Sequence, residues 1–175
     1  MARPVLPPRP IRVEGEIAYV PLTRGFEATI DVQDVPLIHK YNWCVKTKTN
    51  GTVYAQRTVH GSVDGKRHAI LLHRVLLGVP DEMQVDHRDG SGLNCRRNNL
   101  RQATHTQNTQ NAQKRTDNTS GFKGVHWQSR KKRWVARIQA EGKRKYLGYF
   151  KTPEAAHAAY AQASAALHKE FGRVA

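Results

Sequence analysis

The stretch Val85-Asp86-His87-Arg88-Asp89-Gly90, followed by Arg97-Asn98-Asn99-Leu100-Arg101 and, one element on, Asn108, decides how this chain is read. Residues 83–87 have the look of a short strand, and 88–99 of a Gly/Asn/Arg-rich loop. Thr104 and Gln107 have capping-box spacing, so a helix is expected from Thr104 to about Gln113. Asp86 and His87 are adjacent on the strand, and their side chains point to opposite faces unless the strand ends there. The residue types suit phosphodiester hydrolysis. A histidine can activate water, and a divalent cation held by hard oxygen ligands can stabilise charge on the phosphate and on the departing oxygen. Read singly, each residue has a plainer use: an Asp-His pair at a surface or cap, Asn98 and Asn99 in turns, Asn108 on a solvated helix face. Their combination and spacing carry the argument.

Upstream, residues 11–70 read as a β meander. Residues 16–20 and 26–30 alternate around Thr23-Arg24-Gly25, and Asp34 with Pro36 fits the start of a short helix to Lys40. Residues 43–48 and 52–59 flank the hairpin signal Asn50-Gly51, and Asp64-Gly65 makes a second turn. Residues 72–77 then form a short helix stopped by Gly78 and Pro80. Downstream, 122–127, 134–140 and 145–150 are strand candidates. Thr152-Pro153 opens a helix whose Ala156, Ala159, Tyr160, Ala163, Ala166 and Leu167 recur at helical spacing.

Charge narrows the function. Lys plus Arg number 29 against 14 Asp plus Glu in 175 residues, a net +15. Such a chain attracts polyanions, nucleic acid above all. From residue 117 on, seven Lys and five Arg oppose one Asp and three Glu. A membrane partner is not expected, because no segment is a basic amphipathic helix with a bulky apolar face. Two cysteines, Cys44 and Cys95, without a C-x-x-C pair fit a reducing compartment and argue against a cysteine-built zinc site. The Pro/Arg-rich first ten residues have no apolar core, so a cytoplasmic protein is expected.

The string Asp86-His87-x-Asp89-Gly90, Leu93-Asn94, Arg97-Asn98-Asn99-Leu100-Arg101, preceded by Leu72-His73-Arg74-x-Leu76, resembles the HNH nucleases, in the branch of phage and intron-encoded homing enzymes. Asn99 follows Asp86 by thirteen positions and Asn108 follows Asn99 by nine. The resemblance implies a ββα-metal centre in which His87 is the general base, Asp86 and Asn108 hold one metal ion, and Asn99 steadies the histidine and its loop. Asn108 stands where the motif's name expects histidine, a replacement the homing branch tolerates. His105 is an alternative ligand one helical turn early, and His73 is expected to be structural. An oxygen-only site favours Mg²⁺ or Mn²⁺, with no zinc expected.

The strings Ser120-Gly121-Phe122-Lys123-Gly124-Val125, Trp134-Val135-Ala136-Arg137-Ile138, Tyr146-Leu147-Gly148-Tyr149-Phe150 and Glu154-Ala155-Ala156-x-Ala158-x-Tyr160 resemble the Apetala-type DNA-binding domain of plant ethylene-response factors, also found in phage homing nucleases. The resemblance implies DNA contacts from Lys123, His126, Gln128, Arg130, Lys132, Arg137, Gln139, Arg144 and Tyr146. Replacement of several of that domain's arginines by Lys, His or Gln means its target sequence does not carry over.

The expected architecture is α+β: a flexible tail (1–10), a β-rich N-terminal region (11–70), a ββα-metal nuclease centre (71–113), a linker (114–121), and a three-stranded antiparallel sheet packed on one C-terminal helix (122–173). The expected function is a metal-dependent endonuclease that nicks double-stranded DNA as a monomer. The alternative is a DNA-binding regulator with an inactive centre. An RNA-binding role is disfavoured, since the stacking motifs of single-strand readers are lacking.

Overall fold

The computed structural model describes residues 6–60, 66–112, 114 and 117–174. The Asp64-Gly65 turn and the predicted helix end at Gln113 lie outside the described residues. The fold is α+β with several small antiparallel sheets, as the sequence predicts. Chain contacts divide it into two compact units, Met1–Gln102 and Ala103–Ala175, a division that falls inside the expected nuclease segment. Among the described residues no helix is long and apolar enough to cross a membrane.

In the first unit, β1 (Arg12–Glu14), β2 (Ile17–Pro21) and β3 (Glu27–Asp31) form an antiparallel sheet. Its inner face is Ala18, Val20, Ala28 and Ile30, the period-two alternation expected of a half-buried sheet. A short helix, α1 (Val35–Ile38), leads to a second sheet of β4 (Cys44–Thr47), β5 (Val53–His60) and β6 (Arg67–Leu71). Helix α2 (Leu72–Leu77) follows and ends at Gly78 in the left-handed region, where glycine carries no Cβ penalty. Then come β7 (Gln84–His87) and β8 (Leu100–Ala103), a two-stranded ribbon. One apolar core joins these pieces, from Ala18 and Ile30 through Trp43 to Leu72, Val85, Cys95 and Leu100. Strands β2 to β5 and the β7–β8 ribbon therefore share a core.

Two local expectations are corrected. Strand β1 was not foreseen, because Arg12-Val13-Glu14 is exposed at the sheet edge and has no apolar alternation. Asp34 does not cap α1 with its side chain. It is buried and takes Arg97 Nη2 at 2.7 Å and Nε at 3.0 Å, a bidentate pair spanning 63 positions. Within the segment expected as a tail, Arg9 donates to the carbonyls of Pro21 and Trp43, each at 2.8 Å.

The second unit opens with α3 (His105–Asn111), whose start carries the predicted capping box of Thr104 and Gln107. Strands β9 (Val125–Gln128), β10 (Arg133–Ala140) and β11 (Lys143–Phe150) make an antiparallel sheet in the order β11-β10-β9. Helix α4 (Pro153–His168) starts on Thr152 and Pro153 as predicted. It packs Ala156 onto Val125 and Ala136, with Phe122, Trp134, Leu147 and Phe150 around them. At Gly124 (φ +73°) a Cβ would lie 2.3 Å from the Tyr160 ring, so the glycine is what lets helix and sheet close.

Candidate active site

Strand β7 ends at His87, and both Asp86 and His87 are buried there. Their surroundings differ. Arg101 from β8 donates through Nε to Asp86 Oδ2 at 2.7 Å, with Nη2 also 2.7 Å from that oxygen and the guanidinium itself buried. The His87 ring lies among the rings of His73 and Tyr54, with centroids 4.9 and 5.8 Å away, and its Nε2 is 4.0 Å from Cys95 Sγ.

The loop between β7 and β8 is held from inside and outside. Inside, Asn99 does most of the holding: its Nδ2 donates to Asp89 Oδ1 (2.9 Å) and to the Asn94 carbonyl (2.7 Å), and its Oδ1 accepts the Asp89 N–H at 3.0 Å. Its own carbonyl accepts the N–H of Arg88, the residue after His87. Burial opposes the charge on Asp89, but donors from Ser91 N–H, Asn94 and Asn99 outweigh it and hold the carboxyl below its ordinary value. Outside, the loop docks on β3. Cys95 N–H donates to the Thr29 carbonyl and Thr29 N–H to that of Leu93, Arg96 Nε reaches Asp31 at 2.9 Å, and Arg97 N–H reaches the same carboxylate at 2.7 Å. Asp31 is held ionised below its usual range: burial works against it, and the donors from Arg97 and Arg96 prevail. The N-terminal sheet is thus a platform for the loop that follows His87.

Burial sets the charge state of the two histidines. It pushes His87 down to about 4, against the pull of Asp89 and Asp86. It pushes His73 down to about 3, aided by His87, Arg74 and Lys48. Both rings are neutral near pH 7. Burial, with Asp89, raises the Cys95 thiol to about 12. Because the folded values lie below the unfolded value of about 6.5, the stability gained from burying neutral rings is complete above that pH. It is lost as pH falls toward 4. Metal-free protein should therefore melt at steadily lower temperature between pH 7 and 4.5, and His73→Phe should show a shallower fall. Parallel falls in the two proteins would assign the acid loss to other groups.

The second unit carries the remaining predicted residues. Asn108 and the alternative ligand His105 both lie on α3. On the C-terminal sheet, Val135 pairs with His126, Arg133 with Gln128, Arg137 with Tyr146, and Gln139 with Arg144. That register puts His126, Gln128, Arg137, Gln139, Arg144 and Tyr146 on one face, away from Trp134 and Ala136, which pack under α4. Arg130 and Lys132 sit in or beside the exposed turn after β9. Lys123 is engaged otherwise: its Nζ donates to the carbonyls of Gln110 and Ala112, both at 2.6 Å, at the end of α3. Burial pushes that lysine down to about 8.

Sequence reasoning missed Arg101 as the partner of Asp86, Tyr54 as a wall of the His87 pocket, and Tyr149. Tyr149 is exposed on the same face as Tyr146, ring centroids 5.2 Å apart, with Lys131 Nζ 5.4 Å from its centroid. Period-two alternation from Tyr146 would put Tyr149 on the opposite face; the register shift at Ala136/Arg137 turns it to the Tyr146 side, where it pairs with Val135. Nothing local marks Tyr54, which is thirty-three positions from His87.

Comparison with known proteins bears on this region. The chain is 38% identical over 65 residues to Protein 3.8 of Escherichia phage T7, an alignment taking in 37% of this chain and 54% of that protein. It thus spans about half the length of the curated relative it matches. No solved structure matches the chain. Residues 67–110, from the start of β6 to the last turn of α3, match the HNH endonuclease family and are identified as an HNH endonuclease domain.

Proposed function

We propose that this protein is a metal-dependent DNA endonuclease that hydrolyses one strand of double-stranded DNA per HNH centre, guided by its C-terminal sheet. The observation that carries the reading is the buried pair at the end of β7: a neutral His87 beside an ionic Asp86–Arg101 contact, followed by a loop that Asn99 holds shut. His87, neutral near pH 7, accepts the proton of the attacking water as the new P–O bond forms and the bond to the leaving sugar oxygen breaks. Asn99 positions the loop after His87 through Asp89 and Arg88. Asp86 and Asn108 are the residues proposed to hold the cation. A carboxylate and an amide oxygen are hard donors that fit Mg²⁺ or Mn²⁺. When bound, such an ion supplies charge stabilisation at the phosphate and leaving oxygen.

The C-terminal face reads as the docking surface, in the manner of the ethylene-response-factor domain. It brings together Arg137, Arg144, His126, Gln128, Gln139 and Tyr146 on a sheet, an element of a size the major groove admits. Lys123 would have to leave the end of α3 to join them.

The first test is nicking of supercoiled plasmid and of long phage DNA by the full chain in Mg²⁺ and in EDTA, with binding followed alongside. Cleavage should require the metal, while Arg137→Ala with Arg144→Ala should weaken binding about tenfold or more and flatten its salt dependence. Binding without cleavage in Mg²⁺, Mn²⁺ or any other divalent metal would leave a DNA-binding regulator as the function.

A further inference from the structure

The HNH reading uses His87 and leaves its two neighbours unexplained. His73 comes from α2, His87 from the end of β7, and Cys95 from the loop before β8; all three are at least 95% buried. One ligand atom of each lies within 4.8 Å of the other two, the one such His/Cys/Asp/Glu group among the described residues. His73 Nδ1 is buried without a hydrogen-bond partner, which is uncommon for an interior ring nitrogen and leaves a lone pair or a proton unsatisfied. From this geometry we infer that His73, His87 and Cys95 form a three-ligand site for a thiophilic divalent cation of the zinc class, separate from the oxygen-ligand Mg²⁺ site.

The ligand set suits such an ion. Two imidazoles and a thiolate select zinc-like cations over magnesium, and three protein ligands leave a fourth position for water. Around zinc, bonds of about 2.3 Å to sulfur and about 2.0 Å to nitrogen put ligand atoms roughly 3.5 Å apart. His87 Nε2 and Cys95 Sγ stand at 4.0 Å and the three ligand atoms lie within 4.8 Å of one another, so closure asks for side-chain shifts of about 1 Å toward the ion. Binding expels the thiol proton to solvent and changes no oxidation state. The sequence argued against zinc because it has no cysteine pair; the fold assembles one cysteine and two histidines from positions up to twenty-two apart.

The consequence for the HNH centre rests on the nuclease reading. A cation on His87 withdraws electron density from the ring and removes the lone pair that takes the proton from water. Zinc therefore inhibits the enzyme at its base, while Mg²⁺ supports it elsewhere.

The test uses the 175-residue chain with Cys44→Ser, so that Cys95 is its single thiol. Cobalt(II) is titrated under reducing, oxygen-free conditions, then displaced by zinc. One equivalent should bring up a thiolate-to-cobalt charge-transfer band, absent in Cys95→Ala and diminished in both His73→Ala and His73→Gln, with melting curves confirming that each variant folds. No band in the Cys44→Ser protein, or a band that survives Cys95→Ala, overturns the site. In parallel, stoichiometric zinc should slow Mg²⁺-supported plasmid nicking about a hundredfold, the share a positioned base supplies, and a chelator selective for zinc should restore it. Undiminished nicking with the cobalt site filled overturns the inhibitory role. Absence of any nicking before zinc is added counts against the nuclease reading instead, and the cobalt band still decides the site.

Discussion

Replacing His87 with alanine is expected to lower the rate of plasmid nicking by about 10²–10⁴-fold, the range a positioned general base contributes, while leaving DNA binding within about twofold. The argument is one of position and charge. The ring stands at the end of β7, burial keeps it neutral down to about pH 4, and the bonds of Asn99 to the next two residues fix the backbone that carries it. An alanine there opens a cavity beside His73 and Tyr54, so stability must be measured with activity. The discriminating companion is Asn99→Ala. It leaves the imidazole in the chain but removes both donors from the Asp89 and Asn94 contacts. If Asn99 acts by positioning, kcat should fall by more than KM changes, and Asn99→Asp, which keeps only an acceptor for the Asp89 N–H, should recover little because it sets a second carboxylate against Asp89. Nicking by His87→Ala at the wild-type rate would remove this histidine from the chemistry.

How much of this was legible in the sequence depends on how local each cause is. The capping box at Thr104, the stop at Gly78, the Thr152-Pro153 start and the three C-terminal strands are written in neighbouring residues, and the structure carries all of them. So is the shared face of His126, Arg137, Gln139, Arg144 and Tyr146, which needs only alternation and register. Strand β1 was invisible because it lies exposed at an edge and is fixed by pairing with β2 rather than by burial. The use of residues 11–70 was illegible for another reason. Asp31 and Asp34 hold Arg96 and Arg97 across more than sixty positions, and in the sequence Asp34 looks like an ordinary helix cap. The His73–His87–Cys95 grouping is of the same kind: each residue has a plain local reading, and only the packing of α2 against the β7–β8 ribbon brings the three together.

The pair of Asp86 and Arg101 carries the other large effect. Both side chains are buried, and the guanidinium places two donors on one carboxylate oxygen. Removing one partner leaves an uncompensated charge in the interior, so Arg101→Met in metal-free protein should lose about 3–5 kcal/mol of unfolding free energy. Removing both charges, with Asp86→Asn and Arg101→Met together, should recover a good part of that loss, because desolvating the pair is itself unfavourable. Urea unfolding of the two single variants, the double variant and the parent closes the cycle. The same cycle bears on the proposed cation. A guanidinium on Asp86 competes with a divalent ion for the carboxylate, so Mg²⁺ should stabilise Arg101→Met more than it stabilises the parent, and should do nothing for Asp86→Asn. Equal stabilisation of all three by Mg²⁺ would mean that the ion is not held by Asp86. Strict additivity of the two substitutions would mean that the ion pair contributes nothing to the fold beyond its separate halves.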